Sequence, residues 1–143
     1  MSELRYYRDF SIIVMSRILE KEFGEEALNL LVEWKNKKIE EEWKRRGQEV
    51  KDKGPRNFLS LFSKEAHDFE VVRADEETLE VVVKKCVHAE IFKKFNATDI
   101  GKKLICDGDY YVVKGFDHGI ELKREKLLML GDDCCHFIFK LKK

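Results

Sequence analysis

The stretch Thr78-Leu79-Glu80-Val81-Val82-Val83-Lys84-Lys85 decides the fold. Leu79, Val81 and Val83 share one face, which is the period of a strand packed on a core. Phe69 to Arg73 reads as a second strand, joined to the first through Ala74-Asp75-Glu76-Glu77 as a hairpin. Beyond it, Val87 to Phe95 returns to helical spacing through Ile91, Phe92 and Phe95. Asp99 to Gly115 reads as a further helix, with Ile100, Leu104, Ile105, Tyr111 and Val112 on its apolar side. Ile120 to Leu130 and Cys134 to Leu141 read as a closing hairpin around Gly131-Asp132-Asp133. Strands that meet by hairpins, with helices inserted between them, predict an antiparallel sheet and an α+β fold.

The first half of the chain reads as helical. From Glu3 to Phe23, Tyr7, Phe10, Val14 and Ile18 recur at helical spacing, with Ile12, Met15 and Leu19 widening the stripe. The stripe is broader than one core face needs, which points to a homodimer or to a second layer of the same subunit. After Gly24, a second helix is expected from Glu25 to Arg46. Ala27, Leu28, Leu31, Trp34, Ile39 and Trp43 are expected to face inward, and the charged turns from Lys35 onward to stand in solvent. Gly47 and Lys53-Gly54-Pro55 end it, and Pro55 suits the first turn of a short third helix through Phe58, Leu59 and Phe62. The expected whole is one domain over residues 1–143. A helical region (1–65) packs on a mixed region (66–143).

Composition narrows the function classes. The 143 residues are 43% hydrophobic and include ten Phe, as in a globular chain with its own core. Its 28 basic and 28 acidic residues cancel, against the basic excess expected of a nucleic-acid binder. No signal-peptide apolar region and no membrane-length stretch is visible. The expectation is a cytoplasmic protein whose four cysteines are thiols, partnered by a small molecule and by neither nucleic acid nor membrane.

Three cysteines lie in chemically loaded phrases: Lys85-Cys86-Val87-His88, Cys106-Asp107-Gly108-Asp109, and Gly131-Asp132-Asp133-Cys134-Cys135-His136-Phe137. Cys106 and Asp109 are three apart, so one helical face can bring both to a common point. There a carboxylate can act as a general base or join a metal, or simply be solvated beside a core thiol. Cys135 shares a strand face with Phe137 and Phe139, which makes it the inward thiol, with Cys134 and His136 on the other face. Cys86 and His88 bracket a strand-to-helix junction. Together Cys86, His88, Cys106, Asp109, Cys135 and His136 offer zinc-type ligands, yet no C-x-x-C or H-x-x-x-H core organises them. Cofactors are left open, and zinc is not favoured. His67 and His118 read as surface residues. Arg124 and Lys126 interrupt the face shared by Ile120, Leu122, Leu128 and Leu130. Either the strand changes exposure or bulges there, or Arg124 enters a pocket where a guanidinium can grip a carboxylate.

In order and spacing these phrases resemble the 2-amino-thiazoline-4-carboxylate hydrolase family. The matching elements are Cys86 with Ala89-Glu90, Cys106-Asp107-Gly108-Asp109 with Gly115-Phe116, Arg124, and the closing Gly131 to Phe137 phrase. Asn57-Phe58-Leu59-Ser60-Leu61-Phe62 is a weaker echo, and His136 stands where the family more often has an acidic residue. The resemblance implies a hydrolase opening a cyclic amidine, within the class acting on non-peptide C–N bonds. Chemistry and position then assign Asp109 as the base and Cys106 as nucleophile or metal ligand, with Cys135 as a third catalytic group. Arg124 becomes the clamp for a substrate carboxylate, with Cys86 and His88 also binding substrate. The competing expectation is a non-enzymatic small-molecule or thiol-sensing module similar to vinyl-reductase-type domains.

Overall fold

A computed structural model describes residues 3–142. Two long helices, α1 (Glu3–Phe23) and α2 (Glu25–Glu49), lead to a 3-10 segment at Pro55–Leu61. The hairpin β1 (His67–Ala74) and β2 (Thr78–Cys86) follows, then α3 (Val87–Lys94) and α4 (Thr98–Gly101). A π-helical turn at Lys102–Cys106 runs into α5 (Gly108–Phe116). The chain closes with β3 (Ile120–Lys126), a 3-10 turn at Leu128–Leu130, and β4 (Cys135–Leu141). The four strands form one antiparallel sheet in the order β1-β2-β4-β3, so the fold is α+β. Among the described residues, no helix is long and apolar enough to cross a membrane.

Alternation in β2 and β4 builds the core. Their register sets Leu79 against Phe139, Val81 against Phe137 and Val83 against Cys135, and all six are buried. Glu80, Val82, His136 and Ile138 occupy the opposite, half-exposed face, as one-sided antiparallel sheets do. Phe58 is stacked on Phe139 and meets Phe116 edge to face, joining the 3-10 segment and α5 to the sheet. A second cluster, with Leu28, Ile91, Phe92, Ile100 and Met129, joins the long helices to α3 and α4.

Helix α2 lies against α5 at close range because Gly115 has no side chain. A Cβ there would overlap the Glu40 carbonyl oxygen, which is backbone and has nowhere to go. Gly115→Ala is therefore expected to destabilise the protein by ~1–3 kcal/mol, as overpacked sites do. Urea denaturation reads this directly, and an unshifted midpoint would mean the two helices part at no cost.

Four expectations are corrected. Of the expected stripe, Tyr7, Val14 and Ile18 face outward and Phe10 lies at the edge against Phe95, while Asp9, Ile13 and Ser16 are the buried residues of α1. Periodicity reports the spacing of an apolar stripe and not what covers it. On α2, Trp34 is 61% exposed, whereas Lys35 is half-buried and Asn36 is buried. The helix expected from Asp99 to Gly115 is three pieces, because the π turn inserts a residue into the hydrogen-bond ladder before α5 begins. The strand expected to reach Leu130 ends at Lys126, after a register shift between Arg124 and Lys126. Asp132 Oδ2 then accepts the Leu127 N–H at 2.8 Å and holds the 3-10 turn in place.

Candidate functional site

One cavity of about 210 Å³ opens where the sheet face meets the α3 junction and the π turn. Cys86, Cys106 and Cys135 all line it, with His67, His88 and Asp109, against Leu61, Phe62, Leu127 and Phe137. Each polar group arrives by a separate local device. Cys135 points inward through β4 alternation, and its sulfur accepts the Leu128 N–H at 3.2 Å. Cys86 ends β2 in extended conformation and is the residue from which α3 starts, so its side chain is held at the strand-to-helix junction. Cys106 closes the π turn, and Asp109 sits in the first turn of α5.

Two cations pin the π turn. Lys35 Nζ from α2 donates to the Leu104 carbonyl, and Arg124 Nη1 from β3 donates to the Cys106 carbonyl at 2.5 Å. Both carbonyls lie in the turn where the regular α-helical ladder is interrupted. Burial holds the Lys35 ammonium below its ordinary pKa, with the Asp109 charge pulling the other way.

Arg124 is the centre of this support. Its side chain is 2% exposed and lies on the core face of the sheet, opposite Phe137 in register. Nη2 reaches Asp107 Oδ1 at 2.9 Å and Nη1 reaches Asp109 Oδ2 at 3.3 Å, while the guanidinium stacks over Tyr110 at 4.7 Å. Arg124 is absent from the cavity lining. The expected clamp on a substrate carboxylate is thus corrected to a grip on the protein's own carboxylates. The charge needs a partner, and the Cys106-Asp107-Gly108-Asp109 phrase supplies two.

The electrostatics divide the lining groups. Desolvation lifts the Asp109 carboxyl to about 7, although Arg124 and Lys35 pull it down. Burial pushes Cys135 up to about 11, Cys106 further still and Cys86 in the same direction, so all three are thiols at neutral pH. His67, expected at the surface, is instead half-buried on the cavity wall. Desolvation and the neighbouring His88 lower it to about 4, so it is neutral. Its Nδ1 accepts the Ser63 N–H at 3.3 Å, which leaves the proton on Nε2. His118, also expected at the surface, is half-buried and bonded to the Gly47 carbonyl at 3.0 Å.

Sequence reasoning missed Asp9. Its carboxylate is fully buried on the inner face of α1, and Oδ2 lies 2.5 Å from His88 Nδ1. That bond fixes the imidazole with Nδ1 toward the carboxylate and leaves Nε2 free for other partners. The one signal available was Asp9's place on the same helical face as Ile13 and Ser16. His136 stays outside the cavity, on the far face of the sheet, with Nε2 2.7 Å from Glu80 Oε2. Among the described residues, no group of three or more His, Cys, Asp or Glu is placed to hold a metal ion.

The comparison with curated proteins finds no match. Among solved structures, the chain is similar to subunit 3 of a trafficking protein particle complex from Naegleria fowleri, described as covalently bound to palmitic acid. The identity is 16%, covering 91% of this chain and 96% of that one, with a TM-score of 0.36. The family model for L-2-amino-thiazoline-4-carboxylic acid hydrolase matches residues 5–139, nearly the whole of a chain whose cysteine and aspartate phrases meet at one cavity, and the protein belongs to that family.

Proposed function

We propose that the cavity hydrolyses a small cyclic amidine of the 2-amino-thiazoline carboxylate type. One observation carries this reading: Asp109, a carboxyl titrating at about 7, is presented on a cavity sized for a single small ring and walled by neutral thiols and the neutral imidazole of His67. A group whose pKa lies near the working pH can both take and return a proton. Asp109 as carboxylate removes a proton from water as its oxygen bonds to the carbon between nitrogen and sulfur. That proton passes to the ring nitrogen of the adduct; Asp109 then takes the adduct's hydroxyl proton as the carbonyl forms and gives it to the departing ring sulfur as the C–S bond breaks, giving an N-carbamoyl cysteine.

The other groups take supporting roles. Burial keeps Cys106 and Cys135 protonated, which favours water over a thiolate as the nucleophile. Cys106 and Cys135 serve as wall and weak donors. His67, through Nε2–H, and His88, oriented by Asp9, supply polar contacts to the ring heteroatoms, and Cys86 closes the side at α3. Arg124 is a positioning residue that holds Asp109 and the Cys106 backbone.

The test is incubation of the protein with 2-amino-thiazoline-4-carboxylate between pH 5 and 9, following ring opening by NMR and thiol release with a chromogenic disulfide. The expected result is one thiol released per ring opened, over many turnovers. Saturable binding without thiol release would reassign the cavity to a non-enzymatic binding module.

A further inference from the structure

We infer that His67 and His88 together read the amidine edge of the ligand. His67 Nε2–H donates to the ring nitrogen, and His88 Nε2 accepts from the amino group beside it. The cavity then selects 2-amino rings over rings that carry an oxo or methyl group at that position. This deepens the hydrolase reading and rests on it for the ligand class.

The two imidazoles come from different elements and are oriented by different partners. His67 opens β1, and the Ser63 N–H donates to its Nδ1 at 3.3 Å. That leaves its proton on Nε2. Burial and the neighbouring His88 lower its pKa to about 4, so at neutral pH it is an uncharged donor. His88 lies in the first turn of α3, with Nδ1 2.5 Å from Asp9 Oδ2. A carboxylate only accepts, so the single proton of an imidazole here lies on Nδ1, and the Nε2 lone pair is left as an acceptor.

Both rings line the cavity, and their centroids are 6.1 Å apart. From that separation, two hydrogen bonds of ~2.9 Å can converge on neighbouring atoms of one small group. An amidine has the matching order, a ring nitrogen with a lone pair beside an amino N–H. A 2-oxo ring reverses it. Its oxygen would face the His88 lone pair and its ring N–H the His67 donor, and such mismatches reject a ligand more strongly than a lost contact does. In the water adduct the ring nitrogen gains a second lone pair, so it takes its proton without giving up the bond from His67.

The charges around the pair favour the acceptor form of His88. Asp9 is fully buried, and Arg8 Nε lies 3.6 Å from its Oδ1, so α1 supplies the carboxylate with a cation besides the histidine. The Arg5 charge, from the same helix, bears on His67 and disfavours a further cation beside it.

Calorimetric titration with 2-aminothiazole and 2-methylthiazole tests the proposal, at about pH 8, above the ordinary histidine range. Both aromatic rings resist opening, and they differ only at the group that His88 reads. The wild-type protein is expected to bind 2-aminothiazole ~10-fold or more tightly than 2-methylthiazole, the effect of leaving a buried acceptor unpaired. His88→Phe should abolish the preference, whereas His67→Phe should weaken both rings and keep it. Asp9→Asn should also abolish it, because the amide can donate to Nδ1 and move the proton to Nε2. His136→Phe, on the far face of the sheet, is the control and should bind as wild type. Imidazole ¹⁵N NMR of the wild-type chain carries the test where a variant does not fold. It should show His67 protonated on Nε2 and His88 on Nδ1, with the His88 Nε2 resonance shifting when 2-aminothiazole is added. Equal affinity for the two rings, or a proton on His88 Nε2, overturns the proposal. Neither ring turns over, so the result is separate from the hydrolase reading. A preference without thiazoline opening removes the hydrolase alone, and thiazoline opening without a preference removes the amidine edge alone.

Discussion

Asp109→Asn is expected to leave a folded protein in which ring opening has fallen by about 10²- to 10⁴-fold, the range that one acid–base group supplies. The fold should tolerate the change because Arg124 keeps Asp107 and the Cys106 carbonyl, and an amide oxygen can still accept from Nη1. The wild-type rate should rise through a titration near pH 7 as Asp109 ionises, and the variant's residual rate should lack that step.

Stability provides a second reading of the same group. Asp109 titrates near 4 in the unfolded chain and at about 7 when folded, so between those values the native state binds the extra proton. Its contribution to stability falls as pH rises from 4 to 7. His67 acts in the opposite sense. Its folded pKa of about 4 lies below its unfolded 6.5, so the unfolded chain binds the extra proton and stability rises with pH over that window. From these two groups the wild-type protein should show nearly level stability between pH 4 and 6.5, then decline toward 7. Asp109→Asn removes one arm, and its stability should climb with pH across the lower window. Urea midpoints across this range read both slopes. Parallel profiles for the two proteins would mean that Asp109 titrates normally, and the proton-shuttle role would go with it.

The parts of this fold that were legible in the sequence were those fixed by a single dominant period. Leu79, Val81 and Val83 could lie only on one face of a strand, and Cys135, Phe137 and Phe139 only on one face of another, so β2, β4 and the inward thiol followed. Two periods in competition hid the rest. The apolar residues from Ile100 to Val112 keep helical spacing across the π turn, and nothing in composition marks the inserted residue. On α1 the spacing was correct and the direction reversed, because the stripe that suits a core equally suits an external partner. The candidate site was half legible for a similar reason. Cysteines beside Asp or His in short phrases draw the eye to Cys86, Cys106, Asp109 and Cys135. Asp9 lies 79 residues from His88 and has no local phrase, and a lone Asp on a helix reads as solvated. His67 likewise acquires its role only when β1 pairs with β2 and sets it opposite Cys86.

Arg124→Ala should be strongly destabilising. The guanidinium is 2% exposed and joins Asp107, Asp109 and the Cys106 carbonyl, so its removal leaves two carboxylates and one backbone oxygen around an empty volume. Breaking a buried ion pair from one side costs ~3–5 kcal/mol, and Lys102, which stays 2.8 Å from Asp107, places this case toward the lower end. For a chain of this length that corresponds to a fall in Tm on the order of 10 °C. Arg124→Lys should recover only part of it, since one ammonium cannot reach two carboxylates and a carbonyl in the fixed geometry of a fork. The effect should also be local. With its main cation gone, the Asp109 carboxyl is expected to titrate above 7, and the cavity end of the π turn should exchange amide protons faster, while the β2–β4 pairing keeps its protection. A guanidinium that merely waits for substrate predicts the reverse: an alanine variant as stable as wild type, with carboxylate binding lost. Thermal melts of the two variants beside wild type distinguish these outcomes, and an unchanged Tm for Arg124→Ala would return the residue to the substrate.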